Sequence, residues 1–176
     1  MRKRKLWKGL VAGSAAGLAG TVAMTEFQKL WSKASEKLKH NGSAQSSSGN
    51  GSDQEDEDAT MKAAGKVAEA ARYHLSKEQK KKAGSIVHYA FGTGMGALYG
   101  TIVEVGPRKL RCHDLLSGVG LGGVLFVGAD EIAVPAIGRS KKPTEAPVSS
   151  HLYALASHIV YGLTTGAVRK VVRAAL

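Results

Sequence analysis

The sequence has little of what covalent or metal-based stabilisation requires. Its 176 residues include a single cysteine, Cys112, so an internal disulfide is excluded. The cysteine follows the basic segment Arg108-Lys109-Leu110-Arg111, and this setting favours a reducing, cytoplasm-facing loop with an idle thiol. No histidine spacing matches a dedicated zinc motif, and no metal or other cofactor is predicted.

A nucleic-acid-binding pattern is also missing, although the net charge is +11. Only 6% of the residues are aromatic, and they are not interleaved with one basic stripe. The basic residues instead flank apolar stretches, as they do in membrane proteins. We therefore expect the chain to bind no nucleic acid.

Motifs of catalysis are equally scarce. Gly118–Gly123 fits the dinucleotide-binding pattern, but no strand precedes it and no acidic residue follows about 20 positions later. Three serines lie near two histidines: Ser149, Ser150 and Ser157, near His151 and His158. Serines on a membrane helix more often bond to their own backbone than act as nucleophiles. We expect no enzymatic activity.

Four uncharged, glycine-rich stretches dominate the sequence: Gly9–Thr25, Ala83–Val103, Leu115–Ala129 and Ala146–Val168. A helix needs about 20 residues to cross the hydrocarbon layer, and all but the third stretch approach that length. The third must continue through Asp130 and Glu131 to span, or else form a re-entrant segment.

Each stretch carries glycines four residues apart, which lie on one face of a helix and let a neighbouring backbone approach. The glycines are Gly9, Gly13 and Gly17, then Gly92, Gly96 and Gly100, then Gly118 and Gly122, then Gly162 and Gly166. The predicted fold is therefore an all-α, four-transmembrane-helix bundle with close helix packing, with the lipid bilayer as its surroundings.

The charged segments divide the chain further. Residues 1–33 hold a basic N-terminus and transmembrane helix 1, and residues 34–60 form a disordered polar and acidic linker. Residues 61–82 have helical apolar spacing opposite lysines, which predicts an amphipathic helix, either solvated or on the membrane surface. Transmembrane helices 2–4 and a basic C-terminus occupy residues 83–176.

The N-terminus resembles a secretory signal, but Lys8 interrupts its apolar part and three similar stretches follow. We therefore expect an uncleaved anchor. The first helix and the short basic joints favour N- and C-termini on the cytoplasmic side.

Ionisable residues at membrane depth are costly and are candidates for function. The predicted polar cluster consists of His88, Asp130, Glu131 and His158, with His151 and Glu26 nearby. Pro135 removes the hydrogen bond to the carbonyl of Glu131 and so predicts a helix break beside two carboxylates. The cluster is suited to fixing helix register, to relaying or sensing protons, or to holding a divalent cation.

Several segments resemble the YagU-like bacterial inner-membrane family. They are Gly9–Gly17 with Met24–Gln28, His88–Gly92 with Gly96–Gly100, Gly128–Pro135, and His158–Gly162. The resemblance covers the four helices and implies a multi-pass inner-membrane protein without an assigned reaction. It carries over no catalytic residue.

Three functional hypotheses remain. The first is a small binding or pH-sensing membrane module that responds to protons or a small ligand and that forms a homo-oligomer through leftover glycine faces. The second is a proton- or ion-conducting transporter or channel subunit. The third is a structural assembly factor with no ligand site.

Overall fold

The computed structural model describes residues 5–41, 59–70, 72–133 and 147–176. Their regular elements are all helical, which confirms the all-α class. They are α1 (Leu6–Asn41), α2 (Ala59–Ala70), α3 (Lys77–Val105), α4 (Arg108–Cys112), α5 (Asp114–Leu125), a π-helical continuation of α5 (Phe126–Ala133), and α6 (Val148–Ala175). The predicted linker core, residues 42–58, and Pro135 lie outside the described residues.

Helix α1 is longer than its apolar stretch. It runs for 36 residues, about 54 Å, and continues through residues 34–41, where the sequence suggested a linker. Residues 34–39 are Ala, Ser, Glu, Lys, Leu and Lys, which are compatible with a helix, and the first glycine after them is Gly42. The helix therefore extends well beyond the segment that packs against the other helices.

The single amphipathic helix expected over residues 61–82 is divided in two. Helix α2 ends at Ala70, and Arg72 follows with a φ of 61°, in the left-handed region. Ser76 then caps α3: its hydroxyl accepts from the Gln79 amide, and the Gln79 side chain accepts from the Ser76 amide. This reciprocal capping box starts a new helix, so residues 77–82 extend α3.

Helices α1 and α3 meet backbone to backbone. A Cβ atom added at Gly17 would lie 2.5 Å from the Gly92 carbonyl oxygen and 2.8 Å from the Gly96 Cα. A Cβ at Gly9 would lie 2.7 Å from the Gly100 carbonyl oxygen. Residue numbers rise along α1 as they fall along α3, so the two helices are antiparallel.

Helices α5 and α6 make a second close contact. A Cβ at Gly118 would lie 3.1 Å from the Gly162 carbonyl carbon and 3.2 Å from the Gly166 Cα. Helix α6 also packs on α1, where a Cβ at Gly20 would lie 2.9 Å from the Tyr161 carbonyl oxygen. Helix α6 thus lies between α1 and α5.

The interior of the bundle is poor in large apolar side chains. One small cluster, Met24, Leu125 and Tyr161, joins α1, α5 and α6, with Met95 and Leu121 against it. Several other buried side chains are polar: Thr21, Ser157, Thr165 and Arg169 are each at most 2% exposed. Large apolar side chains lie instead on the outside, among them Leu18, Phe91, Val124 and Leu152.

Two helical segments are long and apolar enough to cross a membrane, Leu6–Lys37 and Asp114–Ile132. The second runs from α5 through the π-helical continuation, past Asp130 and Glu131. Helices α3 and α6, with 29 and 28 residues, have the length but do not meet the same apolar criterion.

The glycine contacts predict opposite effects for two matched substitutions. Gly17→Ala places a methyl group against the α3 backbone, which must move, and we expect a loss of about 1–3 kcal/mol. Gly94→Ala is the control, because its Cβ meets nothing within 4 Å and gains up to about 1 kcal/mol of helix propensity. Thermal unfolding of the purified protein in detergent, followed by circular dichroism, measures both. Equal midpoints for the two variants would contradict the packing.

Candidate functional site

Two histidine–carboxylate pairs link α6 to the π-helical continuation of α5. His151 Nδ1 lies 2.6 Å from Glu131 Oε1, and His158 Nδ1 lies 3.5 Å from Asp130 Oδ2. A π-helix forms i→i+5 hydrogen bonds and is a rare element that often occurs at functional sites. The structure therefore brings together four of the six residues that the sequence suggested for the polar cluster.

The two pairs differ in their exposure to solvent. The side chains of His151 and Glu131 are 28% and 23% exposed. The His158 side chain is only 10% exposed, whereas that of Asp130 is 38% exposed. The same Nδ1 atom of His158 lies 3.0 Å from the Ala154 carbonyl oxygen, and the His158 ring packs near the Phe126 ring. One imidazole is thus buried between helices while the other is within reach of solvent.

The other two members of the predicted cluster have different neighbours. Glu26 forms an exposed ion pair with Lys29, at 2.7 Å on the same helix. The ring of His88 lies edge-on to that of Tyr89. Both residues nevertheless belong to the same end of the bundle as the histidine–carboxylate pairs, because α1 and α3 are antiparallel.

A second polar site at the opposite end of the bundle was missed by the sequence analysis. Arg173 donates two hydrogen bonds of 2.8 Å to the two carboxylate oxygens of Glu104. Arg169 donates to Asp114 and lies 3.8 Å from Glu104. The side chains of Glu104, Asp114 and Arg169 are all less than 7% exposed. This ion-pair network joins α3, α5 and α6.

The network also involves hydroxyl groups. Tyr99 donates to the Asp114 carbonyl oxygen at 3.1 Å and lies 2.7 Å from the Ser117 hydroxyl. Two hydrogen bonds from Arg173 hold the pKa of the Glu104 carboxyl below its ordinary value of 4.5, and the same contact raises the pKa of Arg173. The carboxylate is therefore charged at neutral pH despite its burial.

A signal for this network was present in the glycine stripes. Glu104 lies four residues after Gly100, and Asp114 lies four residues before Gly118. Arg169 lies three residues after Gly166. The same helical periodicity that places the glycines on packed faces therefore places these charged groups on the same faces.

The arrangement offers little to a metal ion. Among the described residues, no group of three or more His, Cys, Asp or Glu side chains is placed to hold one. Each of the two histidine–carboxylate pairs is an ion pair only when its imidazole is protonated.

Comparisons with known proteins found no matching family model, no similar curated protein and no similar solved structure.

The ion-pair network predicts acid sensitivity. Glu104→Gln removes the counter-charge of Arg173, while Arg169 keeps its ion pair with Asp114, and we expect it to lower stability at pH 7 by about 1–3 kcal/mol. Because the pKa of Glu104 is depressed on folding, its contribution is fully present above about pH 4.5 and is lost as the pH falls toward the lower folded-state value. The difference between wild type and variant should therefore shrink below pH 4.5.

Unfolding midpoints in detergent at pH 7 and in the acid range measure this difference. Glu78→Gln, an exposed position in the first turn of α3, is the control and should change stability little. A Glu104→Gln protein as stable as the control at pH 7 would contradict the conclusion that the Glu104 ion pair stabilises the fold.

Proposed function

We propose that the chain is a multi-pass membrane protein that acts as a pH-responsive module through its two histidine–carboxylate pairs. The membrane part of the proposal rests on where the apolar and polar side chains lie. Leu18 and Val124 are 47% and 69% exposed, while Thr165 and Ser157 are fully buried. Large apolar side chains turned outward around a small, polar interior are suited to lipid and poorly suited to water.

The burial of the two apolar segments supports the same proposal. A core helix of a soluble protein is mostly buried. Here only 17% of the apolar window in Asp114–Ile132 and 39% of that in Leu6–Lys37 is buried. Helices α3 and α6 contact these segments and also expose apolar side chains, including Phe91, Leu98 and Leu163. We therefore extend the proposal to four spans, with the glycine contacts as membrane-type helix packing.

The proposed location is the bacterial inner membrane, in keeping with the resemblance to the YagU-like family. Lys8 donates to the carbonyl oxygen of Leu176, so α1 begins and α6 ends at one face of the bundle. The same face carries Arg108 and Lys109 of α4, and basic residues favour the cytoplasmic side. The proposed orientation therefore has both termini in the cytoplasm.

The pH-responsive part of the proposal rests on one observation, the pairing of His158 with Asp130 and of His151 with Glu131 across two elements. Each pair is an ion pair only while its imidazole holds a proton. The attraction between α6 and the π-helical segment is therefore strongest on the acidic side of histidine titration and weakens as the pH rises. A polar pair away from bulk water changes its interaction energy more on titration than an exposed pair does.

Two alternative functions use the same residues differently. In a proton- or ion-conducting subunit the histidines and carboxylates would carry the ions, whereas in a structural assembly factor they would only hold the helices together and would show no pH response. The module proposal is preferred because the titratable groups bridge two packed elements. The expected homo-oligomer and small ligand stay predictions, as does the absence of enzymatic activity.

The proposed topology predicts which cysteines can be labelled. Native Cys112 is exposed and follows α4, so a membrane-impermeant maleimide should leave it unlabelled in intact cells and label it in inverted membrane vesicles. Tyr73→Cys in a Cys112→Ser background should show the reverse, because residue 73 is exposed at the other end of the bundle. Labelling of Cys112 in intact cells would reverse the proposed orientation, and recovery of the chain from the soluble fraction would refute membrane insertion.

Trp31 can report the pH response by its fluorescence, because it lies against Tyr153, two residues from His151. The chain has only two tryptophans, so removal of Trp7 leaves Trp31 as the single source of tryptophan emission. In a Trp7→Phe protein in detergent micelles, the Trp31 emission should change sigmoidally with a midpoint between about pH 5 and 8.

Adding Asp130→Asn and His158→Gln should abolish the His158 component of this transition. Adding His74→Gln, which changes an exposed histidine between α2 and α3, should leave the transition intact. A flat titration of the Trp7→Phe protein would reject the pH-responsive function and favour the structural one.

A further inference from the structure

The two tryptophans locate the bundle relative to a bilayer. Trp7 and Trp31 lie on one helix, about 36 Å apart along its axis, and they are 53% and 46% exposed. Lys8 lies over the Trp7 ring, and Trp31 packs with Phe27 and Tyr153. Tryptophan and tyrosine favour the two membrane–water interfaces, and the hydrocarbon core is about 30 Å thick. The spacing therefore places one tryptophan near each interface.

Three contacts fix the level of α6 against α1. Tyr153 meets Trp31, Tyr161 meets Gly20, and Leu176 meets Lys8, so α6 is antiparallel to α1. His151 therefore lies at the Trp31 interface. The Cα of His158 lies two turns, about 10 Å, deeper, with its ring leaning back toward Ala154.

The exposed fraction of the imidazole side chain decreases with distance from the Trp31 interface. It falls from 28% at His151 to 10% at His158. Glu131 pairs with His151 at the Trp31 end, and Glu131 and Asp130 are both more exposed than His158. His158 lies about 10 Å from the level of Trp31 and about 26 Å from that of Trp7, so the shorter route from water to the His158 pair begins at the Trp31 end.

The opposite route is closed by backbone contacts. Between His158 and Arg169 the α5 and α6 backbones touch at the glycines, where the Gly122 Cβ position would lie 2.9 Å from the His158 carbonyl carbon. The buried Thr165 hydroxyl in this part of α6 donates to the Ala16 carbonyl oxygen of α1. Beyond it lie the ion pairs of Arg169 with Asp114 and of Arg173 with Glu104, which join α3, α5 and α6 at the Trp7 end.

Other titratable groups near the Trp31 end belong to the helices packed around α6. They are Glu26 and Lys29 of α1, which pair with each other, and His88 and Tyr89 of α3, whose rings are in contact. Separate substitutions of these residues and of the histidine–carboxylate pairs are therefore needed to show which groups cause a response to pH.

We propose that the histidine–carboxylate pairs sense the pH of one compartment only: protons reach Asp130 and His158 from the Trp31 side, and the glycine contacts and the ion-pair network close the Trp7 side. This inference rests on the proposed function. It specifies which compartment the module responds to.

The test uses the full-length Trp7→Phe protein in liposomes. An impermeant maleimide, added before and after detergent, gives the fraction of molecules whose Cys112 end faces outward. The outer pH is then lowered from 7.5 to 5.5 with the lumen buffered at 7.5, and the emission of Trp31 is followed. A potassium–proton ionophore finally equalises the pH and gives the full response.

We expect the fraction of the response obtained on outer acidification to equal the fraction of molecules whose Cys112 is labelled only after detergent. The remainder should appear with the ionophore. Glu26→Gln and His88→Gln proteins should keep this proportion, whereas His151→Gln with His158→Gln should lose the response.

Two results would overturn the inference while leaving the proposed function in place. A full response on outer acidification, whatever the orientation, would show access from both sides. A response proportional to the fraction labelled before detergent would show access from the Trp7 side. A protein that fails to respond in micelles as well would instead refute the proposed function itself.

Discussion

Contact between helix backbones at glycine is the constraint from which the other features of this bundle follow. Where α1 meets α3 and where α5 meets α6, an added methyl group would overlap the neighbouring backbone. Faces that pack in this way bury few large side chains, so the large apolar residues are left on the outer faces. Such an arrangement gains little from the hydrophobic effect in water, but in hydrocarbon close van der Waals packing is enough to hold helices together.

The carboxylates between the packed helices have different cationic partners at the two ends of the bundle. At the Trp7 end, Arg173 binds Glu104 with two hydrogen bonds and Arg169 binds Asp114, so each carboxylate is paired with a group that stays protonated. At the Trp31 end the partners of the carboxylates are histidines, which are cationic only when protonated. One end thus pairs its carboxylates with arginines, and the other pairs them with imidazoles. This asymmetry gives the pH-responsive proposal its physical basis.

The extent to which the sequence predicts this structure differs between elements. The apolar stretches and their periodicity correctly predicted that the chain is helical. They did not predict the division of residues 61–82 into two helices, because the capping of α3 by Ser76 competes with a continuous helical pattern. The pairing of Glu131 with His151 required the π-helical segment, which has no sequence signature in the hydropathy. Glu104, Asp114 and Arg169 were overlooked as a site because they stand at the ends of apolar stretches, where charge is ordinary.

The sequence by itself determined that the apolar stretches are helical, which of their faces carry glycines four residues apart, and which ionisable groups share those faces, since these properties depend on spacing along one helix. Only the tertiary structure decided that the stripe of α1 faces that of α3, that α5 faces α6, and that His151 and His158 each pair with a carboxylate. Those choices depend on which backbones approach one another, and many pairings of four glycine-bearing helices satisfy the same local periodicity.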